Sequence, residues 1–268
     1  MRVWDKVVVV TGGGNGIGRQ LVLELLSRGA RVAAVDIRQE SLDETVELAG
    51  AGDKLATFVA DVTDREAVGA LPEKVIAAHG AVDGLISNAG IIQPFVRFND
   101  LDYEAIDRVI NVNLYGTIHM VKAFLPHLLD RPVAHVANTS SMGGFLPVPG
   151  QTVYGAAKAG VKLLTEGLYA ELLDTKVGVS VIMPGAVATE ITTNSGIEIP
   201  IDEDSAEASQ FPTTSPQDAA KIILDGIQSN KLHIYVGRDS RMMNLATRAA
   251  PRRSTHMIYK KMKDLLPT

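Results

Sequence analysis

The segment Thr11-Gly12-Gly13-Gly14-Asn15-Gly16-Ile17-Gly18 constrains this chain more than any other. It follows Lys6 to Thr11, a β-branched run with the pattern of a buried strand. It precedes Leu21, Leu25 and Leu26, spaced as one face of a helix. Strand, glycine loop and helix start together form a phosphate site. Glycine lets the backbone approach a pyrophosphate, and free N–H groups with the helix dipole favour the anion. A glycine cluster alone can be a mere flexible turn. Its place between a strand and a helix points instead to a dinucleotide, with Gly12, Asn15, Gly16, Ile17 and Gly18 as candidate contacts.

The pattern then repeats. Arg31 to Val35, Lys54 to Ala60, Val82 to Ser87, Pro132 to Asn138, Val177 to Met183 and Leu232 to Val236 read as further strands. Helical spacing fills the intervals, over 64–79, over 102–129 and after Tyr154. Alternation of this kind implies a parallel sheet with right-handed crossovers, and ligands sit where its strands end. Asp36 ends the second strand, where a carboxylate accepts hydrogen bonds from a ribose diol and repels a 2′-phosphate. Ile37 follows it, and Arg38 is the one nearby cation able to compensate, so NAD is expected over NADP. Asp61-Val62 and Asn88-Ala89-Gly90 stand at the ends of the next two strands, as ligand groups or as turn formers. Asn113, flanked by Val112 and Leu114, is a poor helix-interior residue. Its presence implies a helix distortion that frees a carbonyl, or else a helix–helix hydrogen bond. Pro184-Gly185-Ala186-Val187-Ala188-Thr189 turns the chain after the sixth strand and leaves Thr189 free to bond a ligand amide.

Chemistry concentrates between Ser140 and Lys158. Ser141 lies at a strand end, thirteen residues before Tyr154, and Lys158 follows Tyr154 by four, on the same helix face. A free phenol titrates near 10, too high for proton transfer at neutral pH. An ammonium ~4 Å away contributes on the order of 4 kcal/mol at an effective dielectric of 20, at most about three pKa units. Lys158 is therefore expected to bring Tyr154 toward neutrality, a bound oxidised nicotinamide to push the same way, and Ser141 to hydrogen-bond a substrate oxygen. Tyr-x-x-x-Lys by itself also arises by chance on surface helices; the rest of the chain gives it its meaning.

The totals close off other classes. The 268 residues suffice for a full core, net charge −5 gives no electrostatic case for nucleic acid, and the absence of cysteine excludes disulfides and thiolate chemistry. No metal set is evident, and His119 reads as structural. The first apolar run is too short to span a membrane, so a cytoplasmic location is expected. From Glu190 to Pro212 the pattern lapses into a polar, acidic stretch, read as a lid. Ser215-Pro216 opens a later helix. Residues 238–268 carry eight cations and two anions, net +6, with apolar residues spaced for one or two amphipathic helices.

With these residues in place, the chain resembles the short-chain dehydrogenase/reductase family over roughly residues 5–237. The ordered set is Thr11-Gly12 with Gly16 and Gly18, Asp61, Asn88-Ala89-Gly90, Asn113, Ser141, Tyr154 with Lys158, and Pro184-Gly185 with Thr189. The resemblance implies one Rossmann-like, doubly wound α/β domain over 1–237, its seven parallel strands in the order 3-2-1-4-5-6-7. It implies Tyr154 as general acid/base, Ser141 as the group orienting the substrate oxygen, and Lys158 as nicotinamide-ribose ligand and phenol tuner. Asn113 would hold a water in a proton relay through Lys158. Asp36 would bind the adenosine ribose, Asp61 and Val62 the adenine, Asn88 to Gly90 the adenosine side, and Val187 and Thr189 the carboxamide. The reaction is then hydride transfer between NAD(P) and a carbonyl or secondary alcohol. Ile91, Ile92, Pro94, Phe95 and the loop Met142, Phe145, Leu146 favour an apolar substrate. The alternatives are an NAD(H)-responsive regulatory protein without turnover, and an epimerase or dehydratase on the same fold. The chain departs from the family at Ser87, where asparagine is common, and in its tail, which argues for a homodimer over a tetramer. That tail is expected to pack on its own domain or on a partner. Roofing an apolar site and touching anionic lipid are the other readings.

Overall fold

Val7–Thr11 (β1) is buried along its whole length. Successive strand side chains point to opposite faces, so Val7 and Val9 join one core while Val8 and Val10 join another. A strand buried on both faces needs helices above and below it. The computed structural model, which describes residues 1–189, 191–197, 213–263 and 266, supplies them.

The first half of the sheet alternates β1 with α1 (Gly16–Ser27), β2 (Arg31–Asp36), α2 (Gln39–Ala49), β3 (Leu55–Val59), α3 (Arg65–Gly69), α4 (Leu71–His79) and β4 (Gly84–Ser87). The second half runs α5 (Tyr103–Ile110), α6 (Gly116–Leu129), β5 (Ala134–Thr139), α7 (Thr152–Glu171) and β6 (Val177–Pro184). After it come α8 (Ile191–Asn194), α9 (Pro216–Gln228), β7 (His233–Val236), α10 (Arg238–Ala249) and α11 (Pro251–Met262). All seven strands are parallel and stand in the order β3-β2-β1-β4-β5-β6-β7, as the resemblance implies. Leu21, Leu25, Leu42, Ile223 and Leu224, from α1, α2 and α9, cover one face. Val75, Met120, Phe124, Leu128 and Leu168, from α4, α6 and α7, cover the other. Asp83, buried just before β4, accepts from Val7 N at 3.0 Å and Arg131 Nε at 2.8 Å, which ties β1 to the exit of α6.

Three details differ from the sequence reading. The helix expected over 64–79 is two helices, because Pro72 in the first turn of α4 has no N–H to continue α3. The helix expected over 102–129 carries a π turn, Asn111–Tyr115, between α5 and α6. Most of the lid expected over 190–212 lies outside the described residues; α8 and the chain to Ile197 belong to its described part.

The segment after Gly237 forms two helices. Met243, Ile258 and Met262 cluster with Met142, Phe145 and Leu146, so the apolar loop after Ser141 faces the tail. That corrects its expected place in the substrate pocket. Among the described residues no helix is long and apolar enough to cross a membrane.

Candidate active site

A cleft of about 670 Å³ runs along the C-terminal ends of the strands. It is lined by Gly12, Asn15, Gly16, Ile17, Asp36, Ile37, Asp61, Val62, Asn88, Ala89, Gly90, Ser141, Tyr154, Lys158, Pro184, Gly185, Val187 and Thr189. Of the candidate catalytic and cofactor-binding residues, only Gly18 and Asn113 are not on its wall.

The end expected to take the adenosine is built on the glycine loop. Gly12 has φ +68°, where an L side chain is strained, and a Cβ on Gly18 would strike the Gly12 carbonyl. Asn15 caps α1, its side-chain oxygen accepting from Gly16 N at 2.6 Å. Asp36 binds this loop directly: Oδ2 accepts from Gly14 N at 2.9 Å and Oδ1 from Arg38 N at 3.2 Å. Arg38 Nη2 donates to Asn194 Oδ1 at 3.0 Å, so its guanidinium is turned to α8. Asp61 accepts from Thr63 N and Oγ1, both at 2.8 Å, and forms a local turn while remaining on the cleft wall.

Thr11 holds the next strand end. Its Oγ1 accepts from Asn88 N at 2.9 Å and Ala89 N at 3.0 Å, and its carbonyl from Asn88 Nδ2 at 3.2 Å. Gly90 must be glycine because a Cβ would stand 2.7 Å from Asn113 Oδ1 and 3.1 Å from Lys158 Nζ. Asn113 is fully buried. Its amide donates to Ile91 O at 2.8 Å and Val109 O at 3.0 Å, and its carbonyl accepts from Thr117 Oγ1 at 2.9 Å. Of the two sequence readings the distortion is the one found, as a π turn; in place of a helix–helix bond, the amide reaches the loop after β4.

Ser141, Tyr154 and Lys158 converge at the end of β5. Ser141 Oγ accepts from Gly143 N at 3.0 Å and lies beside the Tyr154 phenol. Ser140 Oγ donates to Lys158 O at 2.7 Å, which pins α7 to the strand end. Lys158 is buried and donates through Nζ to Thr139 O at 3.0 Å, 5.9 Å from the centre of the Tyr154 ring. Burial lowers Lys158 to about 8. Burial also raises the Tyr154 phenol, and the neighbouring Ser141 hydroxyl offsets part of that rise. The expectation that Lys158 brings the phenol toward neutrality is thus not met by the protein's own groups. Burial dominates the phenol, and the ammonium is directed at a carbonyl.

The loop after β6, expected to hold the carboxamide, forms another wall of the cleft. Gly185 N donates to Val236 O at 2.9 Å, Ala186 N to Asp239 Oδ2 at 2.8 Å and Ala188 N to Thr214 O at 3.1 Å. Thr189 lies across from the glycine loop, its methyl 3.5 Å from where a Gly16 Cβ would stand. Sequence reasoning missed Asp239, Thr11 as a strand clamp, and Arg108, whose Nη2 donates to Ser195 O at 3.0 Å on the cleft rim. Only Thr11 carried a signal, as a hydroxyl at a strand end beside glycine. Among the described residues no group of His, Asp and Glu could hold a metal.

Sheet order, glycine loop and the serine–tyrosine–lysine cluster define a dinucleotide-fold oxidoreductase of the α/β class. The chain belongs to the short chain dehydrogenase family, whose model matches residues 6–199. SadH of Mycobacterium tuberculosis, which carries the name of an oxidoreductase, is 35% identical over 251 residues, 91% of this chain and 90% of SadH. A short chain dehydrogenase/reductase from Burkholderia phymatum in complex with NAD has a TM-score of 0.84 at 26% identity, covering 96% of each chain. One from Burkholderia cenocepacia in complex with NADP has a TM-score of 0.81 at 25% identity, covering 96% of this chain and 99% of that one.

Proposed function

We propose that this protein is an NAD-dependent alcohol dehydrogenase or ketone reductase acting reversibly on an apolar ketone or secondary alcohol. The observation that carries the reading is the convergence of Ser141 and Tyr154 at a strand end, one helical turn from the buried Lys158, on the wall of one large cleft. The residues fit that cofactor: the α1 N-terminus suits the pyrophosphate, Asp36 the ribose diol, and Thr189 the carboxamide. When bound, the nicotinamide supplies or accepts the hydride and, oxidised, adds a positive charge beside the phenol.

Ser141 donates to the carbonyl oxygen and orients it. Tyr154 gives its phenolic proton to that oxygen during reduction and takes it back during oxidation. Lys158 binds the nicotinamide ribose, and Asn113 keeps one carbonyl lone pair for a water that relays protons through Lys158. Asp36 disfavours a 2′-phosphate, and Arg38, held by Asn194, does not offset it. Ile91, Ile92, Val112 and Ile191 make the cleft wall near Gly90 and Tyr154 apolar, which suits a hydrophobic substrate. Two copies pair through the long helix and α7, where Tyr103, Tyr115 and Leu163 stay exposed.

The test is cofactor turnover across a panel of apolar ketones. NADH oxidation should exceed NADPH oxidation. Tyr154→Phe should lower the rate by about 10³-fold or more, within the range for loss of a general acid, with NADH binding unchanged. Full activity in Tyr154→Phe contradicts the assignment.

A further inference from the structure

Tyr154 stands in the first turn of α7, where backbone N–H groups have no partner within the helix. Helix ends fray there, yet this is where a general acid must be placed to a fraction of an ångström. The helix supplies no cap of its own. Gln151, in the N-cap position, makes no side-chain bond to the first turn, and the first intrahelical bond is Gly155 N to Gln151 O at 2.8 Å. The missing cap comes from elsewhere in the chain. Gln93, fully buried in the loop after β4, accepts through Oε1 from Val153 N at 2.8 Å and from Tyr154 N at 2.9 Å. The contact is returned: Gln151 Nε2 donates to Gln93 O at 2.7 Å.

We propose that Gln93 is a positioning residue for the reaction, its side-chain oxygen fixing the backbone of Tyr154 so that the phenol meets Ser141 and the substrate oxygen. The role rests on the reading of Tyr154 as acid/base. It is distinct from that reading because Gln93 lies outside the cleft lining and touches neither substrate nor cofactor. The same loop brings Ile91 and Ile92 to the cleft wall, so one buried amide sets the spacing between the apolar wall and the proton donor. Ser140 Oγ fixes the next turn through Lys158 O, and the two bonds together hold α7 from both sides of Tyr154.

Wild-type protein provides the first test, by amide hydrogen exchange. Val153 and Tyr154 should be protected and Thr152, which has no such acceptor, should exchange about tenfold faster or more. Equal exchange at the three positions would overturn the inference. The second test is Gln93→Met, which keeps length and removes the acceptor. Exchange at Val153 and Tyr154 should rise while residues 162–171 stay protected. In NADH-dependent reduction of the best apolar ketone of the panel, kcat should fall about 10- to 100-fold, the cost of a misplaced catalytic group. NADH affinity should not change.

Gln151→Met is the control, since it removes a buried amide contact and leaves the cap. It should lower Tm and retain kcat within about threefold, a structural effect without misplacement. Wild-type kcat in Gln93→Met, or equal kcat loss in both variants, would overturn the proposal. An active Tyr154→Phe would instead overturn the acid/base reading beneath it.

Discussion

His135 sits inside β5, 2% exposed, in the middle of the sheet. Ser180 Oγ gives its own proton to Lys231 O at 2.6 Å, so His135 Nε2–H donates to Ser180 Oγ at 2.9 Å. Nδ1 is then an unprotonated nitrogen with no hydrogen-bond partner. Burial, with a smaller contribution from the N-terminal ammonium, pushes this imidazole down to about 3. An unfolded histidine takes its proton near 6.5. Between these values the unfolded chain binds one more proton, so stability is full above about pH 6.5 and is lost as pH falls toward 3. The slope from this site is up to ~1.4 kcal/mol per pH unit. His79, also lowered by burial, adds to it. Denaturant unfolding of His135→Leu between pH 7 and 4.5 should show a shallower loss of stability than wild type. An unchanged slope would contradict this account. In a sequence His135 is one polar residue in an apolar strand. Its hydroxyl partner is on another strand, and nothing in the local pattern announces the pair.

At the scale of elements, the tail is part of the support of the loop after β6. Asp239, in the first turn of α10, accepts from Ala186 N, and Ser240 Oγ donates to Met183 O at 2.7 Å. Gly185 and Gly237 leave the room that the Asp239 carboxylate occupies. Leaving a backbone N–H without its acceptor costs about 1–3 kcal/mol. Asp239→Ala should therefore weaken NADH binding by about fivefold in a fluorescence titration, when about half of that cost is felt by the loop. Asp239→Asn keeps an oxygen acceptor and should stay near wild type. Unchanged affinity in Asp239→Ala would separate the tail from the cofactor site.

Elements were the most legible level of this chain. Two-sided burial of Val7 to Val10 and helical spacing after each strand follow from side-chain direction alone, so strand positions could be read in advance, while the sheet order came only with the family resemblance. The break at Pro72 was readable from the missing N–H. The π turn around Asn113 was half legible, since a buried asparagine signals a distortion without saying which. The Gln93 cap and the Asp239 clamp were not legible. Each joins residues more than fifty positions apart, and a glutamine after a strand or an aspartate opening a helix has many ordinary uses. The phenol's ionisation was misjudged for a related reason: helical spacing places Lys158 beside Tyr154 but does not show that its ammonium goes to Thr139.

The whole molecule brings all seven strand ends to one edge, and a large cleft lies there. Charge is divided unevenly: the tail carries +6 in a chain of net −5, which leaves the remainder at −11. The tail's apolar residues turn inward to Met142, Phe145 and Leu146, so this cationic pole is anchored to the loop that follows Ser141. Glycine loop, Ser141–Tyr154 pair and the loop after β6 then act as one device, each held by residues outside it: Asp36 and Thr11, Gln93 and Ser140, Asp239 and Thr214. The central claim is that this device moves a hydride. The most direct measurement follows deuterium from C4-labelled NADH into product during reduction of an apolar ketone. The account predicts one deuterium on the carbinol carbon, delivered from one face of the nicotinamide, and none when Tyr154→Phe replaces wild type. Alcohol that forms without the label, or NADH left unoxidised across the whole ketone panel, would contradict it.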